Sequence, residues 1–310
     1  MAVQTARKPS ASSTAASVSN PTSSGFWRVS KRILGRDWAV GFLFVAPTVI
    51  LLFGLIGYPL FDALRLSFYN VTGITNRGWV GLSNYERLWS DERFRDSVWN
   101  TVQFAVISVF FKFWIGLAAA NLLNRSNLKF SSVLTGLVLL PWIIPEVVAA
   151  LTWRGLYDPI FGGLNVLLKQ LGIIDTGIVW LGDYNLALPS VIAVNVWKGI
   201  PFFVLLLLSG LKAVDKEQLE AAEVDGANPV ERFRHVTLPA LRYVIIVTLL
   251  LSFISTFNQF ALPFLMTGGG PSGATKLYAI LAYEKAVGSL QYGPGIAIAF
   301  SVAPLMMLLI

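Results

Sequence analysis

Cysteine is absent from the 310 residues, and histidine occurs once, as His235. Disulfides, iron–sulfur clusters and thiolate metal sites are thereby excluded. His235 lies in a charged loop with no second ligand at metal spacing, which argues against catalytic metal chemistry. Charge is scarce as well: Asp, Glu, Lys and Arg make up 13% of the chain, where a soluble domain carries roughly 25%. The stretch Met1 to Gly25 is rich in Ser, Thr and Ala and lacks the early apolar core of a signal peptide, so none is expected there. The net charge of +7 is no sign of a nucleic-acid partner, because Lys and Arg gather at the ends of apolar runs. That distribution belongs to a chain held in a bilayer, with basic residues on the cytoplasmic side.

Hydrophobic residues supply 55% of the composition, and they are clustered. A bilayer core takes about 20 consecutive apolar residues per helix, and runs of that kind fall at roughly 38–58, 99–123, 131–152, 186–210, 242–262 and 293–310. The expected fold class is therefore all-α, a polytopic membrane protein with about six transmembrane helices. Residues 1–37 read as a disordered cytoplasmic tail and residues 38–310 as one transmembrane domain. Arg28, Lys31, Arg32 and Arg36 directly precede the first run and place the N-terminus in the cytoplasm. The loop from Pro59 to Val98 mixes Trp79, Tyr85 and Trp89 with both charge signs, and is expected to be ordered at the membrane surface. The last run ends at Ile310 with no basic flank.

The segment of about 211–241 carries the sharpest pattern, on the cytoplasmic side of this topology. Asp215 can cap a short helix running to Val224, slim at Ala221 and Ala222, and Gly226 can end it. Asn228-Pro229 then starts a second short helix, with Pro in its first turn. The pair would present small residues and carboxylates to something outside the membrane; an ordinary solvated loop is the alternative.

Glu220-Ala221-Ala222, with Asp225-Gly226, Val236 and Leu238-Pro239, resembles the signature loop of ABC importer permeases. Val236 stands where isoleucine is commoner. Gly81-Leu-Ser-Asn-Tyr85, Asn100-Thr101, Leu140-Pro141, Pro145, Trp153, Gly163-Leu-Asn165, Trp180-Leu181 and Thr267-Gly-Gly-Gly-Pro271 extend the likeness over nearly the whole chain after residue 38, toward the first permease of carbohydrate importers of the maltose and glycerol-3-phosphate type. The resemblance implies a type I ABC importer permease fold in the bacterial cytoplasmic (inner) membrane. It implies that Glu220, Ala221, Ala222, Asp225, Gly226, Leu238 and Pro239 form the coupling segment that docks on an ATPase. It also implies the partners: a second permease in a heterodimer, two copies of the ATPase and an extracytoplasmic solute-binding protein. No cofactor is expected on this chain, ATP and magnesium belonging to the ATPase.

Thr267–Lys276 is rich in glycine but does not end in Gly-Lys-Ser/Thr, so it is no phosphate loop. It reads as a flexible external loop, either a docking place for the binding protein or a plain connector. Ionisable groups within the spans tend to face a cavity or a partner, since charge at mid-membrane costs about 2.5–3.5 kcal/mol. Lys112, Glu146, Asn195 and Lys198 are the candidates, with a kink expected at Gly199–Pro201. Structural pairing of Lys112 and Lys198 is the alternative.

In the fifth span Ser252, Ser255, Thr256 and Gln259 follow Thr248 by four, seven, eight and eleven residues and share one helix face, flanked by Asn258. Hydroxyls and amides beside Phe257 and Phe260 suit a polyhydroxylated solute. Ser and Thr that merely pack helices together are the competing account. The substrate-path candidates are thus Asn195, Lys198, Ser252, Ser255, Thr256, Asn258 and Gln259. A membrane-embedded enzyme would need paired carboxylates or a nucleophile with its base, and no such constellation is found. A stand-alone channel or secondary transporter would have no use for the signature loop. Which sugar or polyol is carried cannot be read from these residues.

Overall fold

The computed structural model describes residues 38–125 and 128–309. The tail expected over 1–37 and the end of the last run at Ile310 lie outside the described residues. The chain divides into two compact units, one ending at Leu60 and one beginning at Phe61.

The described part of the first unit is a single apolar rod. Helix α1 (Trp38–Leu52) passes through a π-helical turn, Phe53–Gly57, into α2 (Tyr58–Leu66). Leu43, Phe44, Phe53 and Leu55 are each more than 70% exposed and no charged residue occurs from Trp38 to Leu60, so the rod has no polar face before the Asp62–Arg65 pair near its end. A helix apolar all round is one made for lipid.

After the end of α2, the second unit continues with a two-stranded antiparallel hairpin, β1 (Tyr69–Thr72) and β2 (Thr75–Trp79), paired Tyr69 to Trp79 and Thr72 to Thr75. Helix α3 (Ser83–Ser90) packs beneath it, where buried Asn84 donates to the carbonyls of Ser67 at 2.7 Å and Tyr69 at 3.1 Å. The loop expected to be ordered is therefore built, although helix α2 takes its first residues through Leu66.

Two long helices form the spine. Helix α4 (Glu92–Leu123) is capped by Asp91, and α8 (Tyr184–Lys212) by Asp183. At 32 and 29 residues and about 1.5 Å per residue, both overrun a hydrocarbon core of about 30 Å. They approach closely because glycine allows it: a Cβ on Gly116 would lie 2.5 Å from Phe203 Cβ, and one on Gly199 2.4 Å from Lys112 Cε. Helix α8 stays helical through Pro189 and Pro201, so the chain is not interrupted at Gly199–Pro201.

The third run does break. Helix α5 (Ser131–Ile143) and α6 (Glu146–Leu156) meet at 92°, with Ile144 extended at ψ 127° and Pro145 following it. Helix α7 (Gly163–Gln170) leads to a loop closed by buried Asn165, which accepts from Trp180 Nε1 at 3.0 Å and donates to the Ile178 carbonyl at 2.9 Å.

After α9 (Lys216–Val224), the element α10 (Pro229–Arg232), a π turn at Phe233–Thr237 and α11 (Leu238–Phe257) form one continuous helix from Pro229 to Phe257. Short helices α12 (Ala261–Thr267), α13 (Tyr278–Tyr283), α14 (Tyr292–Ser301) and α15 (Ala303–Leu309) complete the chain.

Among the described residues, Gly41–Leu66, Glu92–Leu123, Tyr184–Lys212 and Pro229–Phe257 are each long and apolar enough to cross a membrane. The bent pair α5–α6 is long and apolar enough only when taken together, as a broken span or a re-entrant loop, and Tyr292–Leu308 is a shorter apolar helix where the sixth is expected. The fold is all-α apart from the hairpin.

Candidate functional site

A cavity of about 430 Å³ lies where five helices converge. Helix α8 supplies Asn195, Lys198, Gly199 and Phe202, at offsets of three, four and seven residues from the first, so they share one face. Helix α11 supplies Ser252, Ser255 and, just past its end, Gln259; Lys112, Trp142 and Glu146 come from α4, α5 and α6.

The break between α5 and α6 sets one wall. Pro145 has no N–H, so the Pro141 carbonyl loses its helical donor, and the extended Ile144 turns its own carbonyl out of the helix. Lys198 answers both, its Nζ donating to Ile144 O at 2.7 Å and Pro141 O at 3.4 Å. A cation at the C-terminal end of α5 also meets that helix's dipole favourably. On the other side of the break, Glu146 opens α6 with its carboxylate in the first turn and accepts a hydrogen bond from Gln259 Nε2.

Lys112 is 5% exposed and crosses Gly199 to donate to Thr256 Oγ1 at 2.9 Å. Lys112 and Lys198 thus each have a structural partner, as the alternative reading expected. Among the described residues, neither ammonium forms an ion pair with a carboxylate. Asn195, 8% exposed, is buried with its Oδ1 unpaired. A buried acceptor without a donor costs roughly 1–3 kcal/mol.

The polar stripe of α11 splits. Ser252, Ser255 and Gln259 reach the cavity, Ser255 while bonding the Ser252 carbonyl at 3.1 Å. Thr248 bonds back to Val244 O at 2.6 Å, and Thr256 is taken by Lys112. Asn258 lies outside the cavity: its Nδ2 donates to Ile254 O at 2.8 Å and its Oδ1 accepts from the Tyr278 hydroxyl. Of the seven substrate-path candidates, the structure brings together Asn195, Lys198, Ser252, Ser255 and Gln259, and sets Thr256 and Asn258 aside. Trp142, Phe202 and Leu251 were not foreseen, since apolar residues in an apolar span carry no distinguishing mark.

At the far end of α8, Asp215 caps α9 by accepting from Glu217 N at 3.0 Å. Gly226 has φ +87°, and the Ala227 N–H returns to the Ala222 carbonyl at 2.9 Å, a glycine-ended C-cap. Asn228 and Glu231 form a capping box with Pro229 in the first turn. Arg232 ties the start of the next helix to Glu223 of α9. What was expected as a second short helix is instead the beginning of the 29-residue helix. The segment 211–241 is thus a tight α9 hairpin followed by regular helix. Leu238 and Pro239 lie in that helix just after the π turn, where the Leu238 N–H bonds Phe233 O. Glu220, Ala221 and Asp225 are exposed, and so are the apolar Val224 at 88% and Val230 at 74%.

The family model for the binding-protein-dependent transport system inner membrane component matches residues 112–310. The trehalose/maltose transport system permease protein MalF of Thermococcus litoralis is 37% identical over 83% of this chain and 86% of its own. The sulfoquinovosyl glycerol transport system permease protein SmoG of Agrobacterium fabrum is 33% identical over 85% of each. A chain in the crystal structure of a bacterial ABC transporter involved in the import of the acidic polysaccharide alginate shares the fold, with TM-score 0.78 and 21% identity over 92% of this chain and 95% of that one.

Proposed function

The chain belongs to the family of binding-protein-dependent transport system inner membrane components, and on that premise we propose that it lines half of the route by which an ABC importer moves a neutral sugar-like solute into the cell. The observation that carries this reading is the unpaired Asn195 Oδ1 in a cavity shared with Ser252, Ser255 and Gln259. Oδ1 is covered in this state, and a solute hydroxyl supplies the donor that Asn195 lacks once the helices shift to uncover it. The Trp142 and Phe202 rings cover apolar faces of a sugar. The trehalose/maltose relative supports the same solute class.

In this reading the chain is a transport subunit, and ATP with its magnesium binds a separate pair of ATPase chains. The α9 hairpin docks on the ATPase through Glu220, Ala221, Ala222, Asp225 and Gly226. The exposed Val224 and Val230 are suited to burial in that contact. A second permease completes the route, an extracytoplasmic binding protein delivers the solute, and the N-terminus is cytoplasmic. Uptake of labelled trehalose and maltose by the complex reconstituted in proteoliposomes, with native chain and with Asn195→Ala, tests it. Uptake that Asn195→Ala leaves unchanged takes the cavity out of the route.

A second reading has one observation in its favour: Lys112 and Lys198 outnumber Glu146 in the cavity. An anionic solute, such as a sulfonated or phosphorylated glycoside, would neutralise the excess. Competition of trehalose uptake by glycerol-3-phosphate and by a sulfonated sugar separates the two.

A further inference from the structure

A larger cavity, of about 960 Å³, lies at the N-terminal ends of α4 and α8. Its walls carry Asn100 and Gln103 from α4, Asn185 from α8, and the segment Thr267–Lys276. Trp99 and Tyr184 stand among its lining residues and are 62% and 61% exposed.

The glycine-rich wall is not the flexible connector its composition implies. Thr275 Oγ1 donates to Gly270 O at 2.8 Å and meets Thr267 Oγ1 at 2.6 Å. Asn100 Nδ2 donates to Gly273 O at 3.0 Å, fixing the loop to α4.

The two cavities share a face of α8. Asn185, Leu188 and Ile192 line the outer one, and Asn195, Gly199 and Phe202 the inner one. These positions advance by three or four residues at every step, so they form one unbroken stripe. From Asn185 to Phe202 the stripe covers about 25 Å at 1.5 Å per residue. The apolar Ile107, Leu188, Pro189 and Ile192 are the outer cavity's members nearest the inner one in sequence.

We propose that the outer cavity is a separate saccharide-binding station, which holds a neutral polyhydroxylated solute before it passes along the α8 stripe to the inner cavity. The amides of Gln103 and Asn185 can both donate to and accept from hydroxyl groups. The exposed Trp99 and Tyr184 rings offer apolar faces to the C–H side of a sugar ring. This station rests on the reading of the inner cavity as part of the solute route.

The cysteine-free chain makes the test direct. Gln103→Cys and Asn185→Cys at the outer cavity and Ser255→Cys at the inner one are introduced singly. Each is assembled into the complex and labelled with a membrane-impermeant maleimide, without binding protein. Labelling of this chain, separated on a gel, is followed with and without a panel of neutral mono- and disaccharides, trehalose and maltose included. The station requires that at least one sugar slow labelling at positions 103 and 185, by about threefold when the sugar is at twice its dissociation constant. Protection at 255 alone keeps the inner route and removes the station. Protection at 103 and 185 without any at 255 supports the station and counts against the inner route. Absence of protection at 103 and 185, or protection that appears only with binding protein present, overturns the proposal, the latter making this face a protein-docking surface. Tyr184→Cys on the exposed rim replaces either outer variant that fails to assemble.

Discussion

Lys198 of α8 donates its ammonium to the carbonyl of Ile144 at 2.7 Å, at the one residue where α5 stops being a helix. The same nitrogen reaches the Pro141 carbonyl, which Pro145 has deprived of its donor. Within a bilayer, irregular backbone persists only where protein buries it or it lines a cavity, and here a lysine also supplies the bond. The 92° bend and the lysine are therefore one feature.

Lys198→Met should remove charge-assisted bonds worth about 1.5–3 kcal/mol and leave two carbonyls bare. Thermal unfolding of the purified complex should shift down and solute uptake should fall. Lys198→Arg, which can still donate to both carbonyls, should recover most of the stability. A methionine variant as stable as the native chain would show that the break holds itself open.

Gln259→Ala and Ser252→Ala should each lower uptake by about tenfold, the equivalent of one hydrogen bond of about 1.4 kcal/mol. Complex assembly should stay intact. Asn258→Ala should have a smaller effect on uptake, because its amide bonds Ile254 and Tyr278 outside the cavity. Equal losses at 258 and 259 would mean that the whole flank of α11, not the cavity, meets the solute.

Gly199→Ala should be costly although the change is a single methyl group. The added carbon would lie 2.4 Å from Lys112 Cε and 3.0 Å from its Nζ, forcing the buried lysine away from Thr256. Overpacking of this kind costs about 1–3 kcal/mol. Gly116→Ala should cost at least as much, because Phe203 Cβ is fixed to the backbone and cannot swing aside as the lysine chain can, and Gly136→Ala, with nothing within 4 Å, should not. Melting temperatures of the three variants decide it.

How much of this was legible in the chain depends on what each residue has to contend with. The spans were readable because apolar runs of bilayer length have few other uses. The short helix expected at Pro229 and the span expected from about 242 were read as two elements because Arg232, Arg234 and His235 lower the hydropathy between them, whereas they are one helix, and a helix does not stop where a membrane does. Proline was a poor guide by itself: Pro201 leaves α8 continuous, while Pro145 follows an extended residue whose carbonyl Lys198 holds. That lysine lies more than 50 residues away, so no local pattern announces it. The α11 stripe was right as a periodicity and wrong as a common destination, since Lys112 claims Thr256 and Tyr278 claims Asn258. The Asp215 cap, the Gly226 stop and the Pro229 start are local chemistry, and all three stand where the sequence puts them.

Arg232 and Glu223 link the two sides of the α9 hairpin, with side chains 25% and 67% exposed. An exposed pair contributes roughly 0.2–1 kcal/mol, so Glu223→Ala should barely move the melting temperature. If the pair holds α9 at its docking angle, the same variant should reduce solute-stimulated ATP hydrolysis by the assembled complex. The exchanged pair, Glu223→Arg with Arg232→Glu, should restore part of it. Failure of the exchange to restore anything would assign Glu223 to direct contact with the ATPase.

Gly226 is the sharper test of the same hairpin. Its φ of +87° lies where a side chain is strained, yet a Cβ there would touch nothing within 4 Å. The penalty of a substitution is therefore backbone strain, of order 1–3 kcal/mol, and not a clash. Gly226→Val relieves that strain by moving φ to negative values, which re-aims α9 relative to Asn228 and the long helix behind it. The spans lie outside this turn, so membrane expression should be unchanged. The purified complex should retain less ATPase, and uptake and solute-stimulated hydrolysis should fall together. Gly226→Asn, whose side chain tolerates a left-handed backbone better than valine does, should fall between the two. If valine at 226 leaves ATPase retention and uptake at native levels, the hairpin's geometry does not transmit the ATPase cycle to the cavity. The docking role assigned to Glu220, Ala221, Ala222, Asp225 and Gly226 then fails with it.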